Sequence, residues 1–510
     1  MLSRGFDRRD WLKLALATAS AGWAPRAAWS QPRLRANPFE MGVASGSPTH
    51  DSVVLWTRLA GDLPRGPVAV RWEVAHDEAF ARIAQRGEQQ AVPELAHSVH
   101  AEVAGLEPDR WYFYRFMAGD ALSTVGRTRT LPAPDAAPAR LRLAYASCQR
   151  WEHGYFSAWR HMLRENLDAV LFLGDYIYEY PLAASPVRIP TGWWTLALDD
   201  YRARYALYRS EQDLQAMHAA CPWFATWDDH EVQNDYAGLV PGDSGPRVPD
   251  FAARRAAAYQ AFYEHMPVRA AALSEKRVYA QHRFGKLAGI VMLDSRQYRD
   301  AQACNPGGKR GSASVDPQAC ASWEDPKRSL LGAAQEQWLD GVLAQGGATW
   351  TVVGQQTLFG QRDFQPGPGR SLWNDGWDGY PAARRRFTES LLKNRVANPV
   401  LLGGDVHENW VGHLKADYQR PDSAPIGVEF CGTSITSRSG GNAQIAPVLA
   451  ENPHFVFADA ERKGYGVVEF TPSRLTTTLR VVDDVTKRDT RVDTLATFTV
   501  EAGRQRVEAA

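Results

Sequence analysis

Three short apolar runs in this chain end in the same way. Leu171-Phe172-Leu173 stops at Gly174 and is followed by Asp175 and then Tyr178; Phe224-Ala225-Thr226-Trp227 leads into Asp228-Asp229-His230-Glu231; Val400-Leu401-Leu402 stops at Gly403-Gly404 and delivers Asp405-Val406-His407. Runs this short and this continuously apolar read as strands buried on both faces, which belong to sheets covered by helices. In such sheets chemistry collects just beyond the carboxyl ends of the strands. A further strand over 141–146 runs into Ser147-Cys148. Carboxylate, imidazole, phenol and thiol groups are therefore expected along one rim. An aspartate after a buried strand is often only a helix cap, and a lone histidine is often a satisfied core residue. Independent capping accidents, however, would not also select Cys148, Tyr178 and His407.

The surrounding pattern is that of a mixed α/β layered domain over 140–500. Strands are expected over 169–173, 221–227, 287–293, 349–353 and 400–402, helices over 156–165, 251–265 and 334–343, and antiparallel strands over 466–470, 475–482 and 496–500. In front of it, 37–131 reads as an all-β domain of short strands, and Gly105-Leu106-Glu107-Pro108-Asp109-Arg110-Trp111-Tyr112 resembles the corner before a late strand of an immunoglobulin-like or fibronectin-type sandwich. The proline- and alanine-rich stretch 132–139 is expected to be an extended linker. Insertions at about 180–200 and 300–327, rich in Pro, Gly and Ser, are expected to be loops that cover a site or fill its rim.

Residues 1–30 carry an address. Asp7-Arg8-Arg9-Asp10-Trp11-Leu12-Lys13 precedes an apolar stretch over 14–24 and small residues over 27–30, which resembles a twin-arginine signal peptide. The apolar stretch is too short to persist as a transmembrane helix. The expectation is a bacterial periplasmic or secreted protein, carried folded by the twin-arginine export machinery, with no integral membrane segment after signal removal. Lys+Arg and Asp+Glu balance at 58 each, so no net field favours nucleic acid or an anionic membrane, and no nucleic-acid-binding patch is evident. In an oxidising compartment Cys304 and Cys320, which bracket a Gly/Ser/Pro-rich loop, are expected to pair. Cys221 and Cys431 sit in apolar contexts and read as small buried hydrophobes. Cys148 stands in a ligand's place.

The donors point to two unlike cations. Asp175 has two oxygens and can bridge a pair. Tyr178 lies one turn further on, and tyrosinate with thiolate from Cys148 favours a ferric ion; His407 suits the same ion. Asp229 and Asp405 leave the second position rich in oxygen donors, which suits calcium, magnesium or manganese.

Ala146-Ser147-Cys148-Gln149, Gly174-Asp175-Tyr176-Ile177-Tyr178-Glu179-Tyr180, Trp227-Asp228-Asp229-His230-Glu231, Tyr263-Glu264-His265-Met266-Pro267 and Gly404-Asp405-Val406-His407 resemble the motifs of the PhoD-like alkaline phosphatases, within the calcineurin-like metallophosphoesterase group. The resemblance covers nearly the whole chain. It implies an α/β fold, a four-layer metallophosphoesterase-type sandwich of two mixed sheets flanked by helices, preceded by a small all-β immunoglobulin/fibronectin-like domain. It also implies Fe(III) bound by Cys148 and Tyr178, bridged through Asp175 to calcium, one ion or two. In the wider group an Asn-His pair and a His-x-His pair supply other ligands; Asp229-His230 and Asp405-Val406-His407 stand in those places here, departures that fit an oxygen-rich second site. Asp228 and Asp229 both remain candidates for one ligand position, and Asn234 is either a calcium donor or a turn residue.

The activity implied is hydrolysis of phosphomonoesters by a metal-activated hydroxide attacking phosphorus in line. His230 is the candidate to protonate the leaving alkoxide or to hydrogen-bond the phosphate, against a role confined to propping a ligand. Arg150 and Arg296 are candidate phosphate clamps, although arginines are more often found at the surface. Two other functions remain open: a phosphodiesterase, phospholipase D-like cleavage included, on the same two-metal site, and a non-catalytic exported binding protein stabilised by its metals.

Overall fold

The computed structural model describes residues 36–181, 184–189, 192–420 and 422–510. The twin-arginine stretch lies outside them. The strands that deliver the candidate ligands pair in parallel, Leu141–Ala146 with Ala169–Phe172 and Ala169–Phe172 with Trp223–Ala225. They form the middle of a ten-stranded sheet. Lys463–Phe470 joins Leu141–Ala146 antiparallel, and Arg474–Val482, Val492–Glu501 and Glu508–Ala509 continue the sheet outward on that side. A seven-stranded sheet has Ala288–Met292, Trp350–Gly354, Pro399–Gly403 and Pro425–Cys431 as its parallel centre and antiparallel strands on both sides. Both sheets are mixed.

The alternation of side chains along each strand decides what it packs against. Leu143, Tyr145, Leu171, Leu173 and Phe224 meet Ile290, Met292, Val352, Val400, Leu402 and Phe430 of the other sheet in one core, so the two sheets form a sandwich. Ala144, Ala146, Val170 and Phe172 point the other way. They pack with Trp159, Tyr205, Met217 and Phe262 from the helices Ser157–Met162, Leu198–Arg209, Gln212–Ala220 and Phe251–His265. On the second sheet Val291, Val353 and Leu401 pack against Ala333–Gln345 and Pro381–Lys393. Burial on both faces is the reason these strands read as continuous apolar runs. Truncating a residue such as Leu171, fully buried, to alanine is expected to cost about 2–5 kcal/mol.

The front of the chain divides between two sheets. Val68–Ala75, Ile83–Ala91, Trp111–Ala118, Ala121–Leu122 and Gly126–Arg129 form a five-stranded sheet. Val43–Gly46, Ser52–Arg58 and Ser98–Ala104 instead extend the ten-stranded sheet, through the parallel pairing of Gly46 with Trp223. Val53, Leu55, Val70, Trp72, Tyr114 and Phe116 fill the space between the two. The Tyr112 hydroxyl accepts the N–H of Glu107 at 2.9 Å, closing the corner noted in the sequence. Cys304 and Cys320 form a disulfide, with Cα atoms 5.8 Å apart, while Cys148, Cys221 and Cys431 are free and buried. No helix among the described residues is long and apolar enough to cross a membrane.

Candidate metal centre

The strand exits turn sharply, and the ligand candidates sit on the turns. Cys148, Asp175, Asp405 and His407 all have positive φ, between 57° and 66°. Each such non-glycine residue costs about 1–3 kcal/mol, and strain of this kind gathers at functional sites. Two glycines permit the convergence: a Cβ on Gly174 would lie 2.4 Å from the Asp228 Cβ, and one on Gly404 would lie 2.3 Å from the Ser147 Oγ. Glu231 fastens two of the exits together. Its carboxylate accepts the N–H groups of Asp175, Tyr176 and Asp228 at 3.1, 2.6 and 2.8 Å. Burial pushes the Glu231 carboxyl up to about 7, and these N–H groups limit the rise.

The side chains converge on Asp175. Donor atoms of Cys148, Asp175 and His407 lie within 4.8 Å of one another, as do those of Asp175, Asp229 and His230, and those of Asp175, Asp228, Asp229 and Asp405. Asp175 is common to all three groups. The Tyr178 hydroxyl donates to Asp175 Oδ2 at 3.0 Å and lies 3.2 Å from His407 Nε2 and 2.7 Å from Ser437 Oγ. His407 Nδ1 faces the Arg438 carbonyl at 2.9 Å, which turns Nε2 towards the cluster. His230 is held through Nδ1, 2.6 Å from Glu179 Oε2, and its ring lies 4.0 Å from that of Tyr178. The N–H of Asn234 donates to the other Glu179 oxygen at 2.7 Å. Asp175, Asp229, His230, Asn234, Asp405 and His407 all line one open cavity of about 410 Å³.

The charge is unbalanced in a way that suits cations. Burial, with Asp229 and Asp405 close by, drives the Asp175 carboxyl well above the usual range. Burial likewise lifts Asp228 well up, takes Asp405 to about 6 and raises the Cys148 thiol and Tyr178 phenol. Asp229 moves the other way, because Arg296 and His230 outweigh its burial. Asp175 Oδ1 and Asp229 Oδ1 are buried without a hydrogen-bond partner among the described residues. Buried carboxylate oxygens left in that state are costly, and a bound cation removes the cost. The donor set fits that role and is asymmetric, with thiol, phenol and imidazole on one side of Asp175 and carboxylates on the other.

Asp235 and Asp375 of the centre were not legible in the sequence, whereas Arg296 and Arg150 were, as candidate phosphate clamps. Arg296, fully buried, pairs through Nε with Asp228 and through Nη1 with Asp375 at 2.6 Å; its Nη2 lies 3.8 Å from Asp229 and 3.7 Å from Asp405. It is a counter-charge to the acidic side, at the exit of Ala288–Met292, a strand end that offered the same signal as the others. Asp229, Asp235 and Asp375 form a further acidic group. Asp375 is also paired with Arg299, and Asp235 accepts from Ser312. Arg150 is buried with its guanidinium over the rings of Tyr178 and Tyr180, 5.0 and 4.4 Å from their centres, and lies outside the lining of the 410 Å³ cavity.

The sequence matches a family model described as PhoD-like phosphatase over residues 143–479, and one described as PhoD-like phosphatase, N-terminal domain, over residues 22–132. It is similar to alkaline phosphatase D of Bacillus subtilis (strain 168), with 43% identity over 521 aligned residues spanning 97% of this chain and 87% of that protein. Its fold is similar to a solved structure of PhoD, with a TM-score of 0.88 and 43% identity over 94% of this chain and 93% of the other.

Proposed function

The chain belongs to the PhoD-like phosphatase family, and from that membership we infer that it is an alkaline phosphatase, hydrolysing phosphate monoesters at the cluster around Asp175. One observation carries the placement of the chemistry: a single buried carboxylate is shared by three donor groups and keeps an oxygen that no described protein group satisfies. Cys148, Tyr178 and His407 would hold Fe(III), and Asp229 and Asp405, with Asp228 and Asn234 as further donors, would hold one or two Ca(II), Mg and Mn being the other cations that suit such oxygens. Asp175 would join the two sides. Bound cations supply Lewis acidity, lowering the pKa of water towards neutrality and offsetting charge on the phosphoryl oxygens.

The chain's own groups do the rest. Glu179 fixes Nδ1 of His230 and leaves Nε2 for the cavity. Burial disfavours the imidazolium; Asp175, Glu179 and Asp229 outweigh it and raise His230 well above the usual histidine range in the absence of cations, and of the three only Glu179 is not assigned to a cation. A protonated imidazole at the cavity wall is placed to donate to a leaving alkoxide. The same family membership supports reading the packed sheets and their helices as four layers, and the front strands as an immunoglobulin/fibronectin-like sandwich. Arg8-Arg9 and the apolar stretch behind them support export by the twin-arginine route to the periplasm or beyond.

Hydrolysis of p-nitrophenyl phosphate against bis-p-nitrophenyl phosphate tests the substrate class. Faster monoester turnover is expected, and clearly faster diester turnover would replace this reading with a phosphodiesterase. Metal analysis and an absorption spectrum of protein purified from its host test the ions. A visible charge-transfer band lost in Tyr178→Phe supports a ferric site; bound zinc with no band refutes it.

A further inference from the structure

Arg254 is a buried cation without an anion. It lies in the helix Phe251–His265, is 2% exposed, and uses Nε to donate to the Tyr201 hydroxyl at 2.9 Å. Both terminal nitrogens, Nη1 and Nη2, are buried with no hydrogen-bond partner, and it is the one arginine among the described residues in that state at both. No described carboxylate pairs with it. Arg188 and Arg299, each with one unsatisfied nitrogen, have such a partner in Glu211 and Asp375, while Arg209, which has none, uses both terminal nitrogens on the Tyr176 hydroxyl and the Met41 carbonyl. A guanidinium taken out of water needs a counter-charge.

The space beside it is suited to one. Arg254 lines a cavity of about 110 Å³ together with Gln233, Asp243, Arg247 and Arg310. Asp243 is engaged by Arg310 at 3.1 Å, so Arg254 and the exposed Arg247 leave the cavity positive. Water takes up roughly 30 Å³ per molecule in the liquid, so the volume accommodates one tetrahedral oxyanion. The two Nη groups form the edge that binds two oxygens of such an ion side by side. Gln233 adds selectivity. Its Nε2 donates to the carbonyls of Gly242 and Ser244, which fixes the amide, and its Oε1 is a buried acceptor without a donor. Hydrogen phosphate has a proton to give that oxygen, and sulfate has none.

We propose that this cavity is a second oxyanion site, built for hydrogen phosphate and separate from the metal-ligand cavity, with which it shares no lining residue. It lies behind the loop of metal-ligand candidates: Gln233 precedes Asn234, and its N–H donates to the Asp229 carbonyl at 2.7 Å. An ion held there joins the helix Phe251–His265 to that loop. The phosphate comes either from solution or from a second phosphoryl group of a larger substrate.

Equilibrium dialysis of the metal-loaded enzyme with radiolabelled orthophosphate decides between them. Free phosphate as the source predicts one bound equivalent beyond that of the metal centre, lost in Arg254→Gln, weakened in the surface variant Arg247→Ala, and not displaced by equimolar sulfate. A substrate source predicts no extra equivalent, but a raised KM for a bisphosphate ester in Arg247→Ala with the KM for p-nitrophenyl phosphate unchanged. Should Arg254→Gln fail to fold, Arg247→Ala and crystals of the wild type grown in phosphate carry the test. Neither an extra equivalent nor a selective KM change, with only water beside Arg254 in those crystals, overturns the proposal.

Discussion

Arg296 determines whether the acidic side of the centre can exist before metal arrives. Its guanidinium spans Asp228 and Asp375, with Asp229 and Asp405 within 4 Å. Removing one partner of a buried pair costs about 3–5 kcal/mol, because the other charge stays behind. Arg296→Gln is therefore expected to lower the free energy of unfolding in urea by that amount; a loss under about 1 kcal/mol, the worth of a surface pair, would mean that water already screens the cluster. The same geometry explains what was legible in the sequence. Cys148, Asp175, Asp405 and His407 each follow an apolar strand within a few residues, so their convergence follows from sheet topology alone. Arg296 also follows a strand, but an arginine there has many solvent-facing alternatives, and only the four surrounding carboxylates identify its role. Asp235 lies in the loop beyond His230, Asp375 follows only the two-residue strand Leu372–Trp373, and the two are 140 residues apart in the chain; no local pattern announces that loops bring them together.

The loop between Cys304 and Cys320 contributes to the centre through Ser312, whose N–H and hydroxyl both donate to Asp235 Oδ2. Closing a loop of about this length is worth about 3 kcal/mol in the chain-entropy account. Cys304→Ser with Cys320→Ser is expected to cost that much stability and to weaken calcium binding measured by calorimetry, since Asp235 loses its fixed donor. Unchanged calcium affinity would limit the bridge to a role in folding. The strand Pro425–Cys431 carries a different dependence. Glu429 accepts the N–H groups of Phe359 and Gly360 at 2.5 and 2.8 Å, yet burial pushes its carboxyl up to about 7 from an ordinary value of 4.5. The folded chain thus keeps this proton to higher pH than the unfolded chain. The stabilisation is complete below the unfolded value and is lost as pH rises through about 7. The difference in unfolding free energy between wild type and Glu429→Gln should fall over that window; a flat difference would show that Glu429 titrates normally. At this scale the sequence pattern was also incomplete. Leu198–Arg209 and Gln212–Ala220 went unread as helices, the first because it buries Tyr201, Arg204, Tyr205, Tyr208 and Arg209, where an apolar periodicity expects aliphatic residues.

The linker at 132–139 suggested two modules joined in series, but the contacts describe a closer union. The ten-stranded sheet runs from one part into the other through Gly46 and Trp223. The stretch Tyr263-Glu264-His265-Met266-Pro267, one of the motifs that carried the family resemblance, contributes no residue to the metal-ligand groups. It is the surface on which the front strands rest. Trp56 Nε1 donates to the Glu264 carbonyl at 3.1 Å, Arg58 Nη1 lies 2.7 Å from His265 Nε2, His100 Nε2 lies 3.0 Å from the Met266 carbonyl, and the His100 ring stacks on Tyr263 at 4.0 Å. Arg269 adds bonds to Ser47 and Ser52 at 2.9 and 2.8 Å. With the front strands gone, Trp223–Ala225 becomes an open sheet edge, a template for pairing with other chains, and the buried helix Phe251–His265 loses part of its cover. Thermal unfolding by calorimetry is therefore expected to give one transition whose calorimetric and van't Hoff enthalpies agree, and a chain beginning at residue 140 is expected to aggregate. Two resolved transitions, or a soluble and active chain lacking the front strands, would establish instead that the shared sheet is only a contact between independent folding units.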